Sequence, residues 1–433
     1  MARIRLAYLG GGSSRAAGTM ASFVHHGAEF DGSEFVLIDL DPDHLEIVRT
    51  ITEKMAKRAG VDITVTATTD QREGVRDVDA VLSSFRPGDF AVRALDERIP
   101  LKHGVIGQET QGPGGMMMSL RSINVMKGLC KNLSEVAPGA RIFNYTNPVN
   151  IVSQAIADHT DIPIASFCEG PIVFPPVVAK AAGLDPAKLD ANLVGVNHNC
   201  WSNEATYDGA DVFPLLRERY EELRTQPIAD VNGMRALHLA VAMESIPSDY
   251  FNYYYFRDEV LREQQMARKT RSEVIMSSLP DYWAHYREQA ESDAPRLDPA
   301  RSRGGIHELE LAIDAISAFY NDTGARLPFN VTNDDGVLPG FDDETVVELW
   351  GTVDAKGFHP EAQKALPHSV RGITQQLAEY QILAATAAWD GTRPDAIRAM
   401  AAHPLVPSLT VAESLYDEMA AAQAPWLPER LLR

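Results

Sequence analysis

The sequence predicts an α/β protein: an N-terminal Rossmann-like, doubly wound parallel sheet followed by a C-terminal, mainly helical α+β catalytic domain. Three observations predict it. Through the first half, short apolar or β-branched runs alternate with longer helical stretches, the pattern of βαβ units around a parallel sheet. The first run, Ile4 to Leu9, opens directly into Gly10-Gly11-Gly12-Ser13-Ser14. Near residue 195 the texture changes, and helical segments dominate from there on.

In order, Ile4 to Leu9, Phe35 to Ile38, Ala80 to Ser84, Arg141 to Asn144 and Ile164 to Phe167 read as strands. His44 to Ala59 and Leu120 to Ala137 have helical composition and spacing between them. In the second part Gly233 to Met243, Tyr255 to Ser278, His307 to Tyr320 and Gly372 to Trp389 read as helices, interrupted by a loop-rich, extended stretch from Pro328 to Val347. There is no internal repeat and no low-complexity linker. The expected division is therefore a dinucleotide-binding domain at residues 1–195 and a substrate-binding, catalytic domain at 196–433, packed closely together.

The 433 residues include 60 Asp and Glu against 40 Lys and Arg, a net charge of −20. Nucleic-acid and anionic-membrane surfaces need clustered cations, so neither partner is expected. No apolar run reaches the roughly 20 residues of a membrane span. Met1-Ala2-Arg3 leads into a short strand rather than the long apolar stretch of a secretion signal. Cys130, Cys168 and Cys200 are too few for a disulfide framework in a chain of this length. The expected compartment is reducing cytoplasm, where a free thiol is open to catalysis or metal ligation.

A strand running into Gly10, Gly11, Gly12, Ser13 and Ser14 allows a tight turn and close backbone approach, so that a pyrophosphate can sit at the start of the following helix. Arg15 occupies the third glycine position of the usual fingerprint. The second strand ends in Asp39, where a carboxylate takes the ribose hydroxyls of NAD and repels the extra phosphate of NADP. Asp41 is the alternative for that contact. Strand, glycine turn, helix, strand and acid together point to NAD.

Three clusters follow at predicted strand ends, the edge of a doubly wound sheet where ligands bind. Asn144-Tyr145-Thr146-Asn147-Pro148 offers two amides for a sugar or for the nicotinamide side, or is simply an Asn-Pro turn. Cys168-Glu169-Gly170-Pro171 comes next, then Asn197-His198-Asn199. One thiolate and one imidazole can hold a divalent metal with positions left open for substrate oxygens. A buried cysteine and a satisfied interior histidine are the plain alternative.

Taken together these segments resemble the NAD-dependent glycoside hydrolases of family 4, and within them the 6-phospho-β-glucosidase branch. The resemblance runs through Arg86-Pro87-Gly88 to Arg93, Asp96-Glu97, Gly107-Gln108-Glu109-Thr110 and Gly112-Pro113-Gly114-Gly115. It continues through the Asn-Pro cluster, Cys168, Asn197-His198 and Ile246-Pro247-Ser248-Asp249-Tyr250. Arg303-Gly304-Gly305, Asn330 to Val347 and Pro367 to Gly372 extend it over nearly the whole chain.

The resemblance implies that Cys168 and His198 ligate a divalent metal, usually manganese, and that Arg93, Asn147 and Arg271 contact substrate. It implies Tyr250 as catalytic base. Glu169 stands where family members carry Asn, Asp or His, and its place next to Cys168 suits an acid catalyst or a substrate contact. The implied partner is a small glycoside, with or without a 6-phosphate, and the implied assembly a homodimer or homotetramer. Such enzymes cleave by oxidation at C3, loss of the C2 proton, elimination, water addition and re-reduction, so the NAD is not consumed. Two weaker readings share the cofactor domain. A dehydrogenase of the lactate and malate type would pair His198 with Arg93 and need no metal. A non-catalytic NAD sensor would leave Cys168, His198 and Tyr250 unexplained.

Overall fold

A computed structural model describes residues 2–303 and 310–433. The first half contributes β1 (Arg5–Leu9), β2 (Ser33–Ile38), β3 (Ile63–Thr68), β4 (Ala80–Ser83), β5 (Arg141–Asn144) and β6 (Ile164–Ser166). Then follow β7 (Leu189–Asp190), β8 (Val194–Val196), β9 (Asn199–Ser202), β10 (Thr206–Tyr207), β11 (Ala210–Asp211) and β12 (Ile246–Pro247). The last are β13 (Ala325–Thr332), β14 (Val346–Asp354) and β15 (Gly357–Pro360).

Strands β3-β2-β1-β4-β5-β6 lie parallel in that order, which is the doubly wound arrangement with its crossover between β1 and β4. The same sheet then continues antiparallel through β13, β14, β8, β9 and β12, with β15 on the side of β14. β7, β10 and β11 form a small separate sheet. The sheet therefore carries residues from both parts of the chain toward one edge, beside the C-terminal ends of β4, β5 and β6.

β1 shows why the sheet has helices on both sides. Its alternating side chains point to opposite faces. Leu6 and Tyr8 enter one core with Phe35, the helix Ala16–His25 and the helix Glu310–Asn321. Ala7 and Leu9 enter the other, with the helices Gly112–Val136, Val149–His159 and His368–Trp389. A strand buried on both faces reads as a continuous apolar run, as Ile4 to Leu9 largely does. Burial of each large side chain there contributes roughly 1.5–3 kcal/mol.

Two features differ from the expectation, a split helix and an additional strand. The single helix expected from Tyr255 to Ser278 is two, Arg257–Met266 and Arg271–Glu291. Thr270 stops the continuation: its hydroxyl accepts from the Glu273 N–H and the Glu273 carboxylate accepts from the Thr270 N–H, a capping box that begins a new helix. The stretch Pro328 to Val347 is loop-rich as expected between residues 333 and 345, while its ends lie in β13 and β14, which pair along the whole of β13. β3 was absent from the expectation; its polar alternation, Thr64, Thr66 and Thr68, hides an edge strand. The expected helix from His307 is seen from Glu310, and its first residues, like Gly304-Gly305, lie outside the described residues.

Among the described residues no helix is long and apolar enough to cross a membrane. The C-terminal segment is tied to the first half by a fully buried ion pair, Arg121 with Asp96 at 2.6 Å, which Gln423 joins by donating to Asp96 Oδ1 at 2.8 Å. That pair anchors the helix Asp89–Lys102, which presents Arg93.

Candidate active site

The glycine turn lies where β1 and β4 part. Gly10 has φ +99°, and a Cβ there would stand 2.1 Å from the Ser84 carbonyl oxygen, so glycine alone permits the two strand ends to approach. A Cβ on Gly12 would stand 2.9 Å from that of Asp39, and the Gly12 N–H donates to Asp39 Oδ2 at 2.9 Å. Ser13 and Ser14 complete the turn, and the helix Ala16–His25 opens behind it. Asp41 serves as N-cap of the helix Pro42–Ala59, accepting from Asp43 and His44 at 3.0 Å each, so Asp39 is the carboxylate aimed at the turn. Burial raises the Asp39 carboxyl above its ordinary value against the opposing N–H groups of Leu40 and Gly12.

A cavity of about 980 Å³ runs from this turn past Asp39 and Trp283 to Tyr145, Asn147 and Arg303. A cradle that a Cβ would fill, a helix start and an adjacent carboxylate are the parts that fit a pyrophosphate and a ribose. Gly10, Gly12, Ser13, Ser14 and Asp39 all line the cavity, while Gly11 packs inward against Leu37.

Cys168, His198 and Tyr250 are not in the cavity wall; they form a cluster joined to it by two contacts. One is Tyr145, which lines the cavity and donates its hydroxyl to Glu169 Oε1 at 2.7 Å. The other is Arg86, which lines the cavity and pairs with Glu109, next to Thr110. Thr110 Oγ1 lies 3.0 Å from His198 Nδ1 and also hydrogen-bonds Tyr250. Tyr250 stacks on His198 with ring centroids 3.8 Å apart.

Local chain geometry explains this convergence. β8 and β9 make a hairpin whose turn is Asn197-His198, and His198 has the left-handed φ of +67°, uncommon for a side chain of its size. The chain returns as β12 on the outer side of β9, with Ser248 donating its hydroxyl to the His198 carbonyl. Two residues on, a short helical turn delivers Tyr250 against the imidazole. Pro247 is tolerated because β12 is an edge strand.

Electrostatics distinguish the groups. Burial lowers His198 to about 4, so the ring is neutral at neutral pH, as a metal ligand must be. Burial, then the Glu348 carboxylate, raise Cys168 to about 12, against hydrogen bonds from Asn197 and the Gly170 N–H. Burial holds Tyr250 well above the ordinary phenol value, and Cys168, Tyr253 and Glu109 push it further up. Glu109 goes the other way. Burial raises it, but the guanidinium groups of Arg86, Arg93 and Arg15 outweigh burial and hold it at about 2.

Arg93 is 6% exposed and is fixed by two carboxylates, Glu97 at 2.8 Å and Glu109 at 2.9 Å. Asn147 lies in the cavity wall, and its carbonyl accepts from Ser122 at 2.9 Å. Arg271 stands apart: it is the exposed first residue of the helix Arg271–Glu291. The next residue, Ser272, donates its N–H to Glu97 Oε2 at 2.9 Å, so this helix start abuts the Arg93 pairing.

Among the described residues no group of three His, Cys, Asp or Glu could hold a metal ion. Cys168 and His198 offer a soft sulfur, which a bound metal would deprotonate, and a neutral imidazole; they leave positions for oxygen ligands, and the nearby Asn197 and Asn199 Oδ1 atoms are buried without partners. That donor set fits a divalent transition metal better than calcium or magnesium. Thr110, Glu109, Tyr145 and Glu348 were not singled out as site residues from the sequence. Glu348 alone had a readable signal, a charged residue inside the apolar run Val346-Val347-Glu348-Leu349-Trp350.

Comparison with known proteins gives the arrangement a family. A model described as family 4 glycosyl hydrolase matches residues 5–184, and one described as family 4 glycosyl hydrolase C-terminal domain matches residues 193–406. The chain is 33% identical over 435 residues to the probable 6-phospho-beta-glucosidase of Bacillus subtilis strain 168, with 98% of each covered. In fold it resembles the 6-phospho-alpha-glucosidase from gut microorganisms solved in complex with NAD and Mn2+, with a TM-score of 0.85, 23% identity and 99% of each chain covered. It also resembles the Thermotoga maritima 6-phospho-beta glucosidase solved with manganese, NAD+ and glucose-6-phosphate, with a TM-score of 0.82, 23% identity, and 98% of this chain and 99% of that one covered. The first match holds Cys168 and the second holds His198 and Tyr250, and together they cover most of the chain, which belongs to family 4 of the glycosyl hydrolases, a family of glycosidases.

Proposed function

We propose that this glycosidase uses NAD and a divalent metal, most readily Mn2+, to cleave 6-phosphorylated β-glucosides. The observation that carries the reading is the meeting of Cys168, His198 and Tyr250 beside a dinucleotide-sized cavity whose mouth holds the glycine turn and Asp39. The identity with the Bacillus subtilis relative supports the 6-phospho-β-glucoside class. In this reading residues 1–195 form the cofactor-binding domain and 196–433 complete the catalytic one.

Gly10 to Ser14 and Asp39 would hold the NAD, and Cys168 and His198 the metal. When bound, the pair supplies reversible hydride transfer at sugar C3 and Lewis-acid stabilisation of negative charge at the neighbouring oxygens. The chain's own residues do the rest. Arg93 and Asn147 orient the sugar, Arg93 being held rigid by Glu97 and Glu109. Arg271, exposed at the helix start beside Glu97, would contact the substrate only if it turns toward the site. Tyr250 takes the C2 proton at its phenolic oxygen. Burial keeps that oxygen protonated on its own, so base action depends on a cation beside the Cys168–His198 pair. Glu169, hydrogen-bonded by Tyr145, delivers a proton to the departing oxygen.

The test is a panel of nitrophenyl α- and β-glycosides, each with and without a 6-phosphate, assayed with NAD, Mn2+ and a thiol reductant. Turnover restricted to the 6-phospho-β-glucoside, lost on chelation and without net NADH, is expected. Steady NADH accumulation with a hydroxy acid and no metal requirement would instead support dehydrogenase chemistry.

A further inference from the structure

Glu348 is the third residue of β14, opposite Gly195 of β8 and Asn330 of β13, and is 2% exposed. Its Oε1 accepts from Asn197 Nδ2 at 2.8 Å and from Asn330 Nδ2 at 3.0 Å, and its Oε2 lies 3.0 Å from Cys200 Sγ. No cation answers it at that distance among the described residues. An apolar side chain would fill this strand position without the cost of burying a carboxylate. What the carboxylate adds is direction. It has acceptors only, so an amide facing it must turn its NH2 inward.

Asn197 is the amide for which this matters. Its Nδ2 has two hydrogens, one directed to Glu348 and the other available to the Cys168 sulfur, with which Asn197 hydrogen-bonds. Turned the other way, Asn197 would set its Oδ1 against both the carboxylate and the sulfur. The Oδ1 atoms of Asn197 and Asn330 are both buried without a partner, so the amide orientation is set from the Glu348 side. Asn197 also precedes His198, whose left-handed backbone leaves little freedom in the turn. One buried carboxylate therefore bears on both members of the Cys168–His198 pair.

We propose that Glu348 is a positioning residue that aims the Asn197 N–H at the Cys168 sulfur and holds the Asn197-His198 turn, so that thiolate and imidazole are preset for a divalent metal. The inference rests on the metal-dependent reading above. Groups that orient metal ligands without touching the metal commonly contribute tenfold to a hundredfold to its affinity.

The test uses full-length protein freed of metal by chelation. Glu348→Gln and Asn197→Ala are titrated with Mn2+ by electron paramagnetic resonance and with Co2+ by the sulfur-to-metal charge-transfer band. NAD affinity and thermal midpoint report on the fold. Both variants are expected to lose about tenfold or more in Mn2+ affinity and to weaken the cobalt–sulfur band, with NAD affinity unchanged. The double variant is expected to be no weaker than the weaker single one, because the effect runs through one path. Mn2+ affinity in Glu348→Gln within about twofold of wild type would overturn the role; if that variant does not fold, unchanged affinity in Asn197→Ala overturns it. Wild-type protein that fails to bind Mn2+ would overturn the metal-dependent reading itself, a result distinct from wild-type binding that the variants leave untouched.

Discussion

The Tyr250 ring lies flat on the His198 imidazole, with planes 9° apart, and Thr110 hydrogen-bonds both side chains. A candidate metal ligand and a candidate base are thereby locked to each other, so replacing one can disturb the other. Tyr250→Phe separates the two roles because it keeps the stack and removes only the hydroxyl. Expected are loss of solvent exchange at sugar C2, a fall of roughly 10²–10⁴-fold in kcat and little change in Mn2+ affinity. Exchange that persists would move the base elsewhere, and Tyr253, whose ring centroid lies 6.0 Å from that of Tyr250, is the next residue to replace.

At the cofactor end, the fit of Gly12 against Asp39 is tight enough to test with one methyl group. A Cβ at residue 12 falls 2.9 Å from the Asp39 Cβ and 3.0 Å from its Cγ, so alanine must push the carboxylate from its place. Gly12→Ala is expected to weaken NAD binding at least about tenfold, or about 1.4 kcal/mol, while the thermal midpoint without NAD moves little. Nicotinamide-cofactor affinity measured by fluorescence quenching checks it; unchanged affinity would mean that the ribose carboxylate is not Asp39.

Glu109 ties pH to stability. Its carboxyl is held at about 2 in the folded chain against an ordinary 4.5, so the folded state favours the ionised form. A depressed value of this kind stabilises fully above the unfolded value and is lost as pH falls toward the folded one. Glu109→Gln also leaves Arg86 and Arg93 without their shared partner, and is expected to cost about 3 kcal/mol or more at pH 6. Denaturant melts should then show the gap to wild type narrowing by up to about 1.4 kcal/mol for each pH unit between 4.5 and 2. A gap that stays constant to acid pH would show that the ionised carboxylate is not what Arg86 and Arg93 require.

These residues differ in how far the sequence alone reveals them, and the reason is the range of the contacts. Gly10, Gly12 and Asp39 are legible because a strand, its turn and the next strand end follow one another along the chain, each with its own residue preference. The break at Thr270 was equally local, and Thr270-Arg271-Ser272-Glu273 spells the capping box that the helical periodicity on either side obscured. Tyr250 is singled out by family resemblance alone; Cys168 and His198 are readable as a metal pair, but on spacing alone a buried thiol and an interior histidine are the default, and the resemblance tips the balance. Thr110 was invisible as a partner of His198, since that contact exists only once the β8–β9 hairpin packs against the Gln108-Glu109-Thr110 loop. Glu348 was readable as an anomaly, a charge in a buried strand, but its partners Asn197, Cys200 and Asn330 come from two other strands and a turn.

Glu169 stands beside Cys168 where the family resemblance leads one to expect Asn, Asp or His, and Tyr145 indicates how its carboxyl is held. The Tyr145 hydroxyl donates to Glu169 Oε1 at 2.7 Å and its ring lines the cofactor cavity, so the carboxyl is fixed beside the cleft rather than free in it. If Glu169 protonates the leaving group, its loss matters most where the leaving oxygen is basic. Glu169→Gln is then expected to slow alkyl 6-phospho-β-glucosides by roughly 10²-fold or more and nitrophenyl ones far less. Tyr145→Phe, which releases the carboxyl without removing it, should give the same ordering with a smaller loss. Steady-state kcat over a series of leaving groups checks both variants. An equal loss across the series would leave Glu169 as a substrate contact. A loss confined to KM in both variants would place the Tyr145–Glu169 pair in sugar recognition, since binding lost equally from ground and transition states raises KM alone.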